Sequence, residues 1–417
     1  MKSKSNDSIR QTVDALAQSV HRLWQAHDMA PEALPAVARQ AFEAADLQDT
    51  LTPNELLQSV LGSRPLPSSS EDSTLGNALV LHRDEHVEIS AHLWIDELDL
   101  PRRENRWGAL QIVTGSSLLG RLVFEEHKSL GPGLRLGQVH LDSFDLLGPD
   151  LGGGPQGNPV VEIEPGPDKV LSLCSIDAPS MAIAIRSRKT SGDAFELIRP
   201  GLAVAVSPSP GEAAGPIQER LRAWTLLGEV APAAQNQWFV RLCCGEDLET
   251  AYCTLRHAQE LGYEIPDKLA AEAVAAHGED LEHVLRSLDG LRRHKMIHAT
   301  RADNDDPDLR FFLAALFLAE TREQVDTLLD AAYGEPASEE EARARLGRLL
   351  GPVLVEGDDL PDGLATALGR LVDGLPMESA IDAVDVEADE REDLGDFLSQ
   401  VAEAMTGSSI FDPLFTA

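Results

Sequence analysis

The stretch His86-Val87-Glu88-Ile89-Ser90-Ala91-His92-Leu93-Trp94-Ile95 alternates between two kinds of side chain. Val87, Ile89, Ala91, Leu93 and Ile95 fall on one face; His86, Glu88, Ser90, His92 and Trp94 fall on the other. A period of two is the mark of a β-strand, and this pattern predicts one covered on a single side. Working outward, further short strands are expected at 109–114, 118–125, 138–146, 160–163, 170–174 and 181–187. Gly131-Pro132-Gly133 and Gly152-Gly153-Gly154-Pro155 mark turns between them. Nothing helical lies between these strands, which argues against a parallel α/β sheet and for a sandwich or small barrel.

Both flanks of this β-region read as helix. Ile9, Val13, Leu16, Val20 and Leu23 recur at spacings of four and three, one stripe of a helix. A second helix is expected at 31–45. A third starts at Thr52-Pro53-Asn54-Glu55, where Thr52 caps, Pro53 suits the first helical position and Glu55 completes a capping box. Beyond 207 the chain turns helical to its end, with capping boxes at Thr321-Arg322-Glu323-Gln324 and Ser338-Glu339-Glu340-Glu341. Phe311, Ala315, Leu318 and Ala319, then Val325, Leu328 and Leu329, supply the buried stripes. Between Glu356 and Asp396 there are fourteen acids against Arg370 and Arg391. Leu364, Leu368, Leu371, Leu394 and Phe397 are interleaved at helical intervals, so this reads as solvated helix faces rather than an acidic tail. The fold class is therefore α+β, with a helical segment at 1–62, a Pro/Ser-rich linker at 63–77, a β-barrel at 78–207 and an all-helical region at 214–417.

Composition narrows the partners. Seventy acids against 35 basic residues leave a net charge of −35 in 417 residues. A surface so negative repels phosphate backbones and anionic lipid, so neither nucleic acid nor membrane is an expected partner. The positive charge is mostly guanidinium, with seven Lys and 28 Arg. Cys174, Cys243, Cys244 and Cys253 form no CxxC pair and no disulfide framework, which points to a reducing, cytoplasmic setting. Cys243-Cys244, after Trp238-Phe239-Val240, reads as buried structural thiols. The N-terminal sequence lacks the apolar core of a signal peptide. The longest apolar run, 311–319, falls far short of the ~20 residues that span a bilayer.

Two blocks carry a family likeness. The first is Pro101-Arg102-Arg103-Glu104-Asn105-Arg106-Trp107-Gly108-Ala109-Leu110, followed by Gly115-Ser116-Ser117-Leu118. The second is Val170-Leu171-Ser172-Leu173-Cys174-Ser175-Ile176-Asp177-Ala178-Pro179-Ser180, followed by Arg186, Arg188, Thr190 and Pro200-Gly201-Leu202-Ala203. They resemble the cysteine-dioxygenase-like branch of the cupins, and more closely a group of bacterial cupin-fold proteins with a helical C-terminal region. In that group the blocks run roughly P-I-H-D-H-R-F-S-G-A-F with G-S-S-L, and I-H-S-L-F-H-L-D-x-P-S. Arg310 to Leu318 is similar to the group's R-F-F-L-A-L-L-L segment. The resemblance implies a double-stranded β-helix whose interior imidazoles hold a divalent metal. Here Arg103 and Asn105 align with the first block's two histidines, and Leu171 and Ser175 with the second block's. Arginine cannot shed its proton to ligate a cation and leucine has no donor atom. No HxH occurs in the chain. The expectation is a degenerate metal site, no cofactor and no catalytic residue carried over.

What replaces the metal motif is itself a candidate. Arg102, Arg103 and Arg106, with Asn105 beside them and Trp107 as an apolar wall, suit a bidentate clamp for a carboxylate or phosphate. The bland alternative is a set of salt bridges in a chain short of positive charge. His82, His86 and His92, with Glu88, are a second cluster. His86 and His92 are six residues apart, about 20 Å along a strand, so one ion cannot bind both and surface or edge-strand histidines are expected. His127 and His140 flank a Gly-rich loop and are the least implausible relocated metal ligands, although no third ligand is evident. Gly152-Gly153-Gly154 lacks the GxxxxGK[ST] pattern, and neither GxSxG nor HExxH occurs. The leading expectation is a non-catalytic, metal-free binding or accessory protein that holds a small anionic ligand or a protein partner. The alternatives are a metal-dependent cupin oxygenase or isomerase with relocated ligands, and a structural subunit of a larger assembly.

Overall fold

The computed structural model describes residues 4–45, 47–48, 50–62, 77–94, 98–131, 133–148, 160–166, 168–206, 216–245, 247–263, 265–355, 362–387 and 390–416. The linker at 63–76, Ile95, Pro132, the Gly152-Gly153-Gly154 turn and the acidic stretch 356–361 lie outside them.

Three helices come first: α1 (Lys4–Gln25), α2 (Leu34–Glu43), preceded by a short 3-10 turn at Pro31–Ala33, and α3 (Pro53–Gly62). Thr52 caps α3 by accepting the Glu55 N–H, and its hydroxyl donates to the Glu55 carboxylate at 3.0 Å. Eleven strands follow among the described residues: β1 (Asn77–Arg83), β2 (Val87–Trp94), β3 (Arg102–Arg103), β4 (Arg106–Thr114), β5 (Ser117–Ser129), β6 (Leu134–Leu147), β7 (Val160–Ile163), β8 (Lys169–Ser175), β9 (Ser180–Thr190), β10 (Phe195–Ile198) and β11 (Leu202–Ala205). Every pairing among them is antiparallel.

The pairing is nested. β5 pairs with β6, β4 with β7, β3 with β8 and β2 with β9, as in one long hairpin wound up from its tip. Winding yields a five-stranded sheet in the order β1-β2-β9-β4-β7 and a closed six-stranded barrel in the order β10-β11-β6-β5-β8-β3. Between the two lies a core of Trp94, Leu110, Ile112, Leu119, Leu147, Leu173, Ala182 and Ala184.

The expectation that β2 is covered on one side is corrected. Val87, Ile89 and Ala91 pack, with Ile183 and Ile185, against Val13, Leu16 and Val20 of α1 and Ala38 and Phe42 of α2. The opposite face, Glu88, Ser90, His92 and Trp94, is equally buried, against the barrel interior. His92 is thus no surface histidine: its ring stacks on Trp94 and its Nε2 lies 3.0 Å from Ser90 Oγ. Polar side chains on an inward face look like a solvated face in sequence, because alternation reports two environments without saying which is wet.

The helical region wraps the barrel in two groups. The first comprises α4 (Pro216–Val230), α5 (Pro232–Cys244), α6 (Leu248–Glu260), α7 (Asp267–His277) and α8 (Glu279–Ala302). It shares a core with Leu134, Leu136, Ile198 and Leu202. The second runs through α9 (Pro307–Leu318), α10 (Arg322–Tyr333), α11 (Glu339–Leu354), α12 (Asp362–Val372), α13 (Met377–Ile381), α14 (Arg391–Gly407) and α15 (Asp412–Phe415). Its core reaches Leu98, Leu118, Cys174 and Ile176 of the barrel. The capping boxes form as read: Thr321 accepts from the Gln324 N–H and Ser338 from the Glu341 N–H. Leu364, Leu371, Leu394 and Phe397 pack on this core. Among the described residues no helix is long and apolar enough to cross a membrane.

α9 departs from its predicted stripe, since every side chain from Leu309 to Leu318 is buried. A helix enclosed all round cannot leave its last carbonyls to water. Two arginines supply the donors. Arg199, in the β10–β11 turn, donates to the Leu318 carbonyl at 2.6 Å and the Ala319 carbonyl at 3.4 Å; Arg293 of α8 donates to the Leu316 carbonyl at 2.5 Å. Burial pushes Arg293 down to about 10, with Arg199 adding to the shift and Asp412 opposing it. The approach is close. A Cβ on Gly290 of α8 would stand 2.1 Å from the Arg199 carbonyl oxygen, so only glycine fits there.

Replacing Arg199 with Met removes charged donors from buried carbonyls and is expected to cost about 2–3 kcal/mol of stability, read as a lower urea midpoint with an unchanged slope. A second expectation concerns pH. His294 of α8 donates from Nε2 to the Leu98 carbonyl at 2.6 Å, and burial pushes its pKa from 6.5 down to about 4, the hydrogen bond opposing. Between those values the unfolded chain binds the extra proton, so stability falls as pH drops from about 6.5 to 4. His294→Gln should flatten that part of the stability-versus-pH curve.

Candidate functional site

One end of the core between the sheet and the barrel is ionic rather than apolar. Glu88 of β2, Arg186 of β9, Glu104 in the β3–β4 connection and Arg106 at the start of β4 are 2%, 1%, 4% and 8% exposed. Strand register gathers them: Glu88 sits opposite Arg186, which sits opposite Gly108, two residues along from Arg106. On β9 the inward parity runs Ala182, Ala184, Arg186, so the guanidinium continues the row of small core side chains.

The pairing within the group is loose. Arg186 Nη2 lies 3.7 Å from Glu104 Oε1, and Arg106 Nη1 lies 3.6 Å from Glu88 Oε1. Glu88 is the better held, its other oxygen accepting from Arg83 at 2.6 and 2.7 Å. Among the described residues, Arg186 Nε and Nη2 and both Glu104 oxygens have no hydrogen-bond partner, although all are buried. Buried charges are expensive unless paired and hydrogen-bonded. Beside it opens a cavity of about 360 Å³, lined by Glu104, Val170 and Leu171. Its lining carries five carboxylates (Glu104, Asp142, Glu162, Glu164 and Asp168) and three cations (Arg39, Arg121 and Lys169), with Arg39 bonded to Glu162 at 2.7 Å.

The structure does not bring the five residues of the first block to one pocket. Arg102 pairs with Glu196 at 2.6 Å. Arg103 lies over the Phe195 ring at 4.3 Å and donates to the Asp193 carbonyl at 3.1 Å. Burial lowers the pKa of Arg103, and Arg135, stacked against the same ring at 4.6 Å, lowers it further. Asn105 donates to the Gly192 carbonyl at 3.4 Å. Trp107 packs on the N-terminal helical core, outside the sheet. Of the five, Arg106 joins the interior cluster. Strand alternation accounts for the split, since neighbours on β4 point to opposite faces.

The relocated metal pair is also separated. His140 sits opposite Val123 in the β5–β6 hairpin, whereas His127 occupies an irregularity between Glu126 and Lys128. Four residues along a strand is about 13 Å, so the hairpin forms but the two rings do not share an ion. His140 lies instead 3.4 Å from Glu320. Nor do the residues of the barrel interior fit the metal that the resemblance implies. The position aligned with one histidine is Leu171, in the apolar core; Ser175 gives its carbonyl to Arg301; and two guanidiniums would face the cation.

No family model matches the chain, and comparison with the curated proteins finds no match. Sequence reading missed Glu104 and Arg186 as interior groups. The available signal was a lone arginine at the inward parity of Met181-Ala182-Ile183-Ala184-Ile185-Arg186.

Arg186→Met should destabilise the fold by about 3 kcal/mol, because Glu104 is left buried and uncompensated. Adding Glu104→Leu should recover most of that loss, and a double-mutant cycle in urea measures the coupling.

Proposed function

We propose that the barrel is a cupin-like double-stranded β-helix whose interior carries an ionic site in place of a metal centre. On this reading the protein is a non-catalytic binding or accessory protein for a small anionic ligand. The nested pairing supports the fold reading, because strands wound up in antiparallel pairs into two facing sheets are the plan of eight-stranded jelly rolls, cupins among them.

The observation that carries the function is the buried Arg186 guanidinium, whose Nε and Nη2 lack a hydrogen-bond partner, behind Glu104, which lines a cavity. A guanidinium fork matches a carboxylate or phosphate bidentately, and burial strengthens each such bond. Arg106 supplies a second positive charge at the same end. Glu104, drawn off Arg186, accepts from a hydroxyl or ammonium on the same ligand. The inward donor set speaks for binding rather than turnover: His92, the imidazole on this face of β2, is engaged by Ser90 and stacked on Trp94. That leaves it poorly placed as a general base.

The test is a thermal-shift and calorimetric screen with inorganic phosphate, acetate and succinate. At least one should raise the melting temperature of the wild-type chain. The rise should vanish in the folded Arg186→Met/Glu104→Leu variant and weaken in Arg106→Gln. An absence of any shift in the wild type, or an equal shift in the double variant, would end this reading.

A further inference from the structure

A second cluster lies outside the barrel, on the face of the sheet that carries the N-terminal helices. We infer that His21, His82 and Asp84 form a binding site for one divalent transition-metal ion of the zinc class, which clips α1 to the β1–β2 turn.

Two segments distant in sequence converge there, α1 with His21 and the end of β1 and its turn with His82 and Asp84. His21 Nε2 lies 2.6 Å from Asp84 Oδ2, and His82 Nε2 lies 3.0 Å from the same oxygen. All three donor atoms fall within 4.8 Å of one another. Two donors on a common ion at about 2.1 Å, with tetrahedral or octahedral angles, stand roughly 3.0–3.4 Å apart, so little movement is needed. Two imidazoles and one carboxylate form a mixed nitrogen and oxygen set that suits zinc, cobalt, nickel or ferrous iron, with water in the remaining positions. The side chains are 27%, 26% and 30% exposed, enclosed enough to be positioned and open enough for an ion to enter.

The backbone around the cluster prepares it. The β1–β2 register shifts between Val80 and His82, which sets His82 opposite Ile89, whose side chain faces the helices. Irregularities of this kind re-aim a side chain. Asp84 Oδ1 accepts the backbone N–H groups of His86 at 2.8 Å and Val87 at 2.9 Å. That fixes the carboxylate and leaves Oδ2 to the ion, the outer-sphere support that metal ligands commonly receive. His86, exposed at the rim, stands edge-on to His21 at 6.2 Å between ring centroids. Binding requires each imidazole to carry its proton on Nδ1, so that Nε2 offers its lone pair. A tautomer shift achieves this without net proton release from neutral rings. The nearest arginine on the hairpin, Arg83, is turned away and bonded to Glu88.

Zinc titration by calorimetry on the full chain should show one saturable site. His21→Gln, His82→Gln and Asp84→Asn should each weaken it by more than about tenfold, whereas His127→Ala leaves it unchanged. Absence of saturable binding in the wild type, or unaltered affinity in all three variants, overturns the site. Wild-type protein gives a check that does not depend on the variants folding. Zinc should slow diethylpyrocarbonate modification of His21 and His82 but not of His127, and equal rates with and without zinc would refute the clip. Cobalt should report the same site through visible d–d absorption that zinc displaces, and persistence of those bands in excess zinc counts against it.

Discussion

The terminal carbonyls of α9 set the terms for the rest of the molecule. An apolar helix with buried side chains on every face secures a large hydrophobic gain, yet it moves backbone acceptors out of water. Arg199 from the barrel and Arg293 from α8 meet that need, and in doing so they fix where both elements must stand. Arg301 repeats the arrangement by donating to the Ser175 carbonyl at the end of β8. The seam between barrel and helices is thus built from arginines reaching carbonyls across apolar surface. These are three of the 35 basic residues in a chain with 70 acids.

The core between sheet and barrel obeys the opposite logic. Around the α9 terminus each named guanidinium reaches at least one carbonyl, whereas Arg186 and Glu104 approach each other without a hydrogen bond. A hydrophobic pair of similar volume would fit the winding strands as well and avoid the desolvation of two ions. The contrast is the one on which the proposed anion site rests. It also separates this end of the barrel from the Trp94, Leu110 and Leu173 end, which is filled by ordinary core side chains.

Much of the fold was legible. The period of two located seven of the eleven strands, and the capping boxes at Thr52, Thr321 and Ser338 located helix starts that form with the expected cap residues. The strands not read individually were β1, β3, β10 and β11. The last three are two to four residues long, too short for alternation to register. The site was harder. The arginines at 102, 103 and 106 stood out by density in sequence, but strand geometry scatters them among Glu196, Phe195 and Glu88, and the partner that matters, Arg186, comes from a strand eighty residues further on. His21 and His82 are likewise 61 positions apart, and no local spacing announces that they share a carboxylate.

By itself the sequence determined the class of each segment, helix, strand, then helix, because periodicity and caps are local properties of a chain. It also determined a net charge of −35 over 417 residues. Only the tertiary structure decided which face of β2 was the interior, which arginine entered the barrel and which histidines met. Those outcomes depend on strand register and on what covers each face, and a one-residue change of register exchanges inside for outside.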